Sequence, residues 1–112
     1  MKPGFRGLGD GLGVPKGGID EREAVMARIG GEIEQLAQLK ATFDRESKTV
    51  EDLTRVIRGQ LQTTAWEGPA AERFRSMWSG EFEVSLRKLQ QALVDAGAEV
   101  SRRQTALLQA GS

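Results

Sequence analysis

Trp66-Glu67-Gly68-Pro69 lies near the middle of a 112-residue chain, between two long amphipathic patterns of similar length. Gly accepts positive φ at little cost, whereas Pro lacks an N–H and is tolerated only in the first turn of a helix. Gly68 can therefore end one helix or open the turn, and Pro69 can start the next helix. Trp66 is left at the bend. Two helices folded back at this point make an antiparallel hairpin, so the fold class read from the sequence is all-α.

Working back from the turn, the apolar residues of the first arm alternate by four and three: Ile29, Ile33, Leu36, Phe43, Val50, Ile57 and Leu61. Lys40, Ser47, Thr54 and Thr64 occupy the remaining places in the repeat. A period of 3.5 kept over about five heptads predicts a left-handed, coiled-coil-like seam. Lys40, Ser47 and Thr54 admit two readings. They set register or meet a polar counterpart, or the neighbouring Leu39 and Leu53 turn inward in their place. Asp20 and Glu23 have the spacing of a capping box, and acids in a first turn suit the helix dipole. Helix 1 is accordingly expected over 20–64, with a weak point at Gly30-Gly31.

Beyond the turn (about 65–69), the second stripe contains Phe74, Trp78, Phe82, Leu86, Leu89 and Leu93, followed by Ala96, Val100 and Leu107. Helix 2 is expected over 70–108, with 109–112 frayed. Pairs at i,i+4 (Asp44–Lys48, Glu51–Arg55, Glu83–Arg87, Glu99–Arg103) support the exposed faces, each at a few tenths of a kcal/mol. Two helices of this length enclose no centre, and the stripes are too wide for one neighbour. A second hairpin completing a four-helix bundle would supply the missing surface, making the chain a homodimer or a heterodimer. The stripe residues from Ile29 to Leu93 are therefore the candidate partner-binding seam.

Composition narrows the chemistry. The chain has no Cys, His or Tyr, and its 16 basic and 16 acidic residues cancel. Disulfide and cysteine-nucleophile chemistry is excluded, and the commonest metal ligand and general base are missing. An enzyme would have to work with a carboxylate pair such as Glu81 and Glu83, which do not face each other on a helix. The expectation is a non-enzymatic chain without cofactor or metal. No basic stripe suggests nucleic acid, no apolar run approaches a membrane span, and no h-region suggests a Sec signal.

Residues 1–18 hold seven of the fourteen glycines and two of the three prolines. No G-x-G-x-x-G or Gly-Lys pattern occurs among them, so nucleotide binding is not indicated. Residues 1–19 read as a flexible tail. The alternative is a short docking segment carried by Phe5, Leu8, Leu12 and Val14.

Trp66-x-Gly68 at the bend of two roughly forty-residue helices, followed by Pro69-Ala70-Ala71, Phe74, Trp78, Leu86, Leu89, Leu93 and Ala96-Gly97, resembles the WXG family of early-secreted-antigen-like proteins. The resemblance covers about residues 20–108. It implies a hairpin that pairs with another WXG-type hairpin and is exported without a Sec signal by the type VII (ESX) machinery. The protein would be cytoplasmic before export, then secreted or associated with the cell envelope. Family members that carry their own export signal have a Tyr followed four residues later by an acid; the matching positions here are Val100 and Gln104. The resemblance therefore implies either export in the company of a partner that carries the signal to the secretion ATPase, or retention inside the cell. An intracellular helical-hairpin adaptor is the alternative function. For Trp66, capping the seam and contacting the secretion machinery are both open readings.

Overall fold

The structure, a computed structural model, describes residues 20–111; the proposed tail (1–19) and Ser112 lie outside the described residues. The described residues form an extended helical hairpin. Helix α1 (Glu21–Thr63) is one arm, and the other runs without interruption through α2 (Pro69–Met77), a π-helical turn (Trp78–Phe82) and α3 (Glu83–Gly111). At 1.5 Å per residue, the 43 residues of α1 are about 64 Å long. Gly30 and Gly31 lie within α1 without ending it. α3 continues through residues 109–111, which the sequence reading leaves frayed.

The N-terminus of α1 forms as its sequence suggests. The Asp20 carboxylate accepts from the Glu23 N–H at 2.7 Å, and the Asp20 carbonyl accepts from Ala24 at 3.0 Å. Two of the four expected i,i+4 pairs form, Glu83–Arg87 and Glu99–Arg103. Asp44 pairs back to Lys40 instead, and Lys48 and Arg55 share Asp52. All but the Glu83–Arg87 pair are exposed and contribute little singly.

Cross-arm contacts set one antiparallel register. Arg58 meets Glu83, the backbone at Gly97 approaches Phe43 and Asp44, Gln104 donates to the Ile33 carbonyl at 3.3 Å, and Gly111 lies by Ile29. In this register Ser47 is level with Leu93, and Thr54 with Leu86. Small residues on α1 thus stand beside large ones on α3, which lets the arms approach closely.

This settles the polar seam positions. Ser47 and Thr54 are each only 6% exposed, whereas Leu39 is 42% and Leu53 37% exposed. The leucines do not turn inward. The Thr54 hydroxyl is satisfied within α1, donating to the Val50 carbonyl at 2.7 Å, so it brings no unpaired donor into the seam.

Gly97 is the described glycine with the least space around it. A Cβ there would sit 3.2 Å from the Asp44 carboxylate and 3.4 Å from the Phe43 Cβ. Nothing lies within 4 Å of a Cβ placed on Gly31. Gly97→Ile should therefore cost about 1–3 kcal/mol through overpacking. Gly31→Ala should raise stability by up to about 1 kcal/mol through helix propensity. Urea denaturation of the two variants against the parent checks both signs.

Candidate functional site

The turn is built by three devices. Gly68 has φ 107° and ψ 175°, a conformation open essentially to Gly alone. Pro69 opens α2, whose first helical bond runs from the Glu72 N–H to the Gly68 carbonyl at 3.0 Å. Between the helices, the Trp66 N–H closes a three-residue turn onto the Thr64 carbonyl at 2.9 Å.

The third device is Arg75. Its guanidinium donates to the carbonyls of Leu61 (3.2 Å), Thr64 (3.0 Å) and Trp66 (2.8 Å). Helix α1 ends with no basic residue of its own in its last turn, and its last carbonyls lack helical partners. Arg75, reaching back from α2, supplies both donors and positive charge. The planar fork of Arg suits several acceptors at once, which a Lys ammonium cannot match.

On one side of the turn the aromatic rings touch in sequence. Trp66 and Phe74 have ring centroids 5.8 Å apart, Phe74 and Phe82 6.4 Å, and Phe82 and Trp78 6.4 Å. Trp66, Phe74 and Phe82 are exposed while Trp78 is half-buried, so the three aromatics spaced by four do not share one environment. The cause is the π turn over Trp78–Phe82. In an unbroken α-helix, eight residues advance the side-chain direction about 80° beyond full turns. The extra residue of the π turn takes back about 100°, leaving a difference of about 20°. Phe82 therefore lines up with Phe74 instead of rotating into the seam.

The same turn brings Glu83 inward, where Phe82 would otherwise point. Glu83 is 7% exposed. Its carboxylate accepts from Arg58 Nε at 2.8 Å, Trp78 Nε1 at 3.2 Å and Arg87 Nη1 at 3.4 Å. The Arg58 hydrogen bond is the main cause that holds the Glu83 carboxyl below its usual range, assisted by Trp78 and Arg87 and opposed by burial. Glu81, the other member of the carboxylate pair, is exposed. Among the described residues, no group of three or more acidic, His or Cys side chains could hold a metal ion. No described helix is long and apolar enough to cross a membrane.

The two long edges of the hairpin differ. Arg58 with Glu83 and Asp44 beside Gly97 mark one edge, and a hollow of about 190 Å³ lined by Glu51, Arg55, Arg58 and Arg87 lies along it. Because an α-helix turns about 100° per residue, Leu39, Leu53 and Ile57 of α1 emerge at the opposite edge. So do Phe82 and Leu89 of the second arm. All five are exposed, and together with Phe74 and Trp66 they form an apolar flank.

The candidate seam residues are thus divided. Val50 is buried between the arms, and Ile29, Ile33, Leu36, Phe43, Leu61, Trp78, Leu86 and Leu93 are half-buried. Ile57, Phe74, Phe82 and Leu89 belong to the exposed flank. Val100 and Gln104 are both half-buried on α3, and Gln104 is committed to the Ile33 carbonyl.

Arg75, the Arg58–Glu83 contact and the π turn were not singled out from sequence. A signal for the π turn is present: Phe74, Trp78, Phe82 and Leu86 follow one another by four, and each such step rotates the stripe about 40°. Three steps cannot stay on one face without a compensating turn. Gly80, inside the second W-x-G (Trp78-Ser79-Gly80), falls where the helix widens.

Comparison with protein-family models, curated proteins and solved structures finds no match to this chain.

Two outcomes follow from the geometry. Arg75→Ala should lower stability by about 1–3 kcal/mol, the scale for stranding hydrogen-bonded groups, and Arg75→Lys should recover less than half; thermal melts compare them. Glu83 is held below its unfolded value, so its contribution is complete above the unfolded value and vanishes as pH falls through the folded one. Stability measured from pH 6 down to pH 3 should fall less steeply in Glu83→Gln than in the parent. The difference should persist in high salt, because Asp52 and Glu99, also held low by Lys48 and Arg102 respectively, keep about half of their side-chain surface in water.

Proposed function

We propose that this chain is a non-enzymatic, WXG-type helical hairpin of type VII (ESX) secretion, acting as a substrate or as the pairing partner of one. The observation that carries the proposal is the apolar flank running from Trp66 through Phe74 and Phe82 to Leu89, beside a Trp66-x-Gly68 turn at the bend of two long helices. A contiguous exposed apolar face of this kind is characteristic of an interaction surface in a soluble protein. A second hairpin laid against it completes a four-helix bundle.

Pairing also accounts for export. Val100 and Gln104 stand where self-exported members of the WXG family carry Tyr and an acid, so the partner supplies the signal and the contact with the secretion ATPase. The route is Sec-independent, with the chain cytoplasmic before export. Gln104 has a structural task in its hydrogen bond to Ile33, which agrees with a position not used for signalling.

The expected result is appearance in the culture medium only when a partner with the Tyr-and-acid pair and a working type VII ATPase are both present. Retention in the cytosol with a bound, signal-bearing partner and an active ATPase would replace secretion with the intracellular adaptor. Val100→Tyr with Gln104→Glu should relax the dependence on the partner. It should also cost about 1 kcal/mol or more, because a cross-arm hydrogen bond is lost and a half-buried site is enlarged.

A further inference from the structure

The second arm holds one residue more than its seam requires. Ala71, Arg75 and Trp78 are buried or half-buried and follow one another by four and three. From Glu83 through Leu86 and Gln90 to Leu107 the inward positions keep the same alternation. The step from Trp78 to Glu83 is five, and the π turn over Trp78–Phe82 absorbs the inserted residue there. An inserted residue can be absorbed elsewhere along a helix. One turn farther on, over residues 82–86, it makes Trp78, Phe82 and Leu86 the inward positions, and everything from Leu86 onward keeps its place. Only residues 82–85 rewind, each turning by about 100°. Phe82 then leaves the apolar flank for the inward place of Glu83. Glu83 moves to the edge of Arg58 and Arg87.

We propose that this segment is a two-position device: the inserted residue sits either at Trp78–Phe82 with Glu83 inward, or one turn later with Phe82 inward, and the contacts of Glu83 select the first. Both side chains have a destination in the second position. A largely apolar hollow of about 150 Å³ lies beside the Arg58–Glu83 contact, against Leu61, Trp78, Arg58 and Arg75. A space of that volume holds a benzene ring. The hollow along the charged edge offers a displaced carboxylate three guanidiniums (Arg55, Arg58 and Arg87) against one acid, Glu51. In the first position the Glu83 carboxylate gains Arg58, Trp78 and Arg87 as donors, while Phe82 stays 43% exposed. Hydrogen bonds to an ionised carboxylate are about twice as strong as neutral ones, and they hold the ring in water. Without that charge, burial of the ring decides the position. The device acts within one hairpin and needs no partner. A molecule seated on the flank would favour the first position, because it covers Phe82 only there.

The test follows the ring protons of Phe82 by nuclear Overhauser spectroscopy on the full chain, with circular dichroism as the check on folding. The parent should show contacts from Phe82 to Phe74, whose ring centroid is 6.4 Å away. Glu83→Gln should weaken those contacts and strengthen contacts from Phe82 to the Leu61 methyls, with the ratio of second to first position raised roughly tenfold or more. Arg58→Gln removes the shortest of the three donors and should shift the ratio in the same direction. Its side chain is 47% exposed, so the fold does not depend on it. Deleting Gly80 removes the inserted residue and makes Trp78 to Glu83 a step of four. In the chain without Gly80, Glu83→Gln should leave Phe82 on the flank. Phe82–Phe74 contacts that are unchanged in both Glu83→Gln and Arg58→Gln overturn the device. Movement of Phe82 onto Leu61 in the chain without Gly80 also overturns it, because no residue is then left to relocate.

Discussion

Among the described residues, each arm of this hairpin packs against the other arm alone, so the contact between the arms can cover a single stripe on each helix. The other properties of the molecule depend on that limit. The buried positions between the arms go to small or compact side chains (Ser47, Val50, Thr54, Gly97), which let the helices approach closely. Several larger apolar side chains (Leu53, Ile57, Phe82 and Leu89) lie beside the seam, on one flank. A protein with a third layer would cover them itself. Here they stay exposed, while Arg58, Glu83 and Asp44 mark the opposite edge.

The π turn serves this division. By adding one residue between Trp78 and Phe82, it places Glu83 against Arg58 on the charged edge and Phe82 beside Phe74 on the apolar one. A π turn gives up regular helical hydrogen bonding and is commonly found where function requires it. In this molecule it reconciles two demands on one helix: a polar anchor that fixes register, and a continuous aromatic row leading to Trp66. Arg75 completes the arrangement by tying the end of α1 to α2, which holds Trp66 at the start of that row.

Much of the hairpin was legible from local chemistry. Gly68-Pro69 can hardly be read except as a break, Asp20 and Glu23 announced their capping contact, and the four-three alternation located the inward face of α1. The choice between Ser47 or Thr54 and their leucine neighbours was not legible, because it depends on what stands opposite. Leu93 and Leu86 fill that space, and no pattern within α1 reports them. Arg75 was hidden for a similar reason: its acceptors are backbone carbonyls, which every residue possesses. The second arm misled by apparent regularity. Its aromatics at spacing four suggest one face until the accumulated rotation is counted.

In solution the apolar flank should be covered by another hairpin. Methyl NMR of the full chain with a soluble paramagnetic agent tests it most directly, because methyl groups on both edges report at once. Leu53, Ile57 and Leu89 should be shielded to the level of Val50, while Val94 and Leu108, exposed away from that flank, remain accessible. Relaxation of Leu53, Ile57 and Leu89 as strong as that of Val94 would contradict it, and would mean that the hairpin keeps its apolar flank in water.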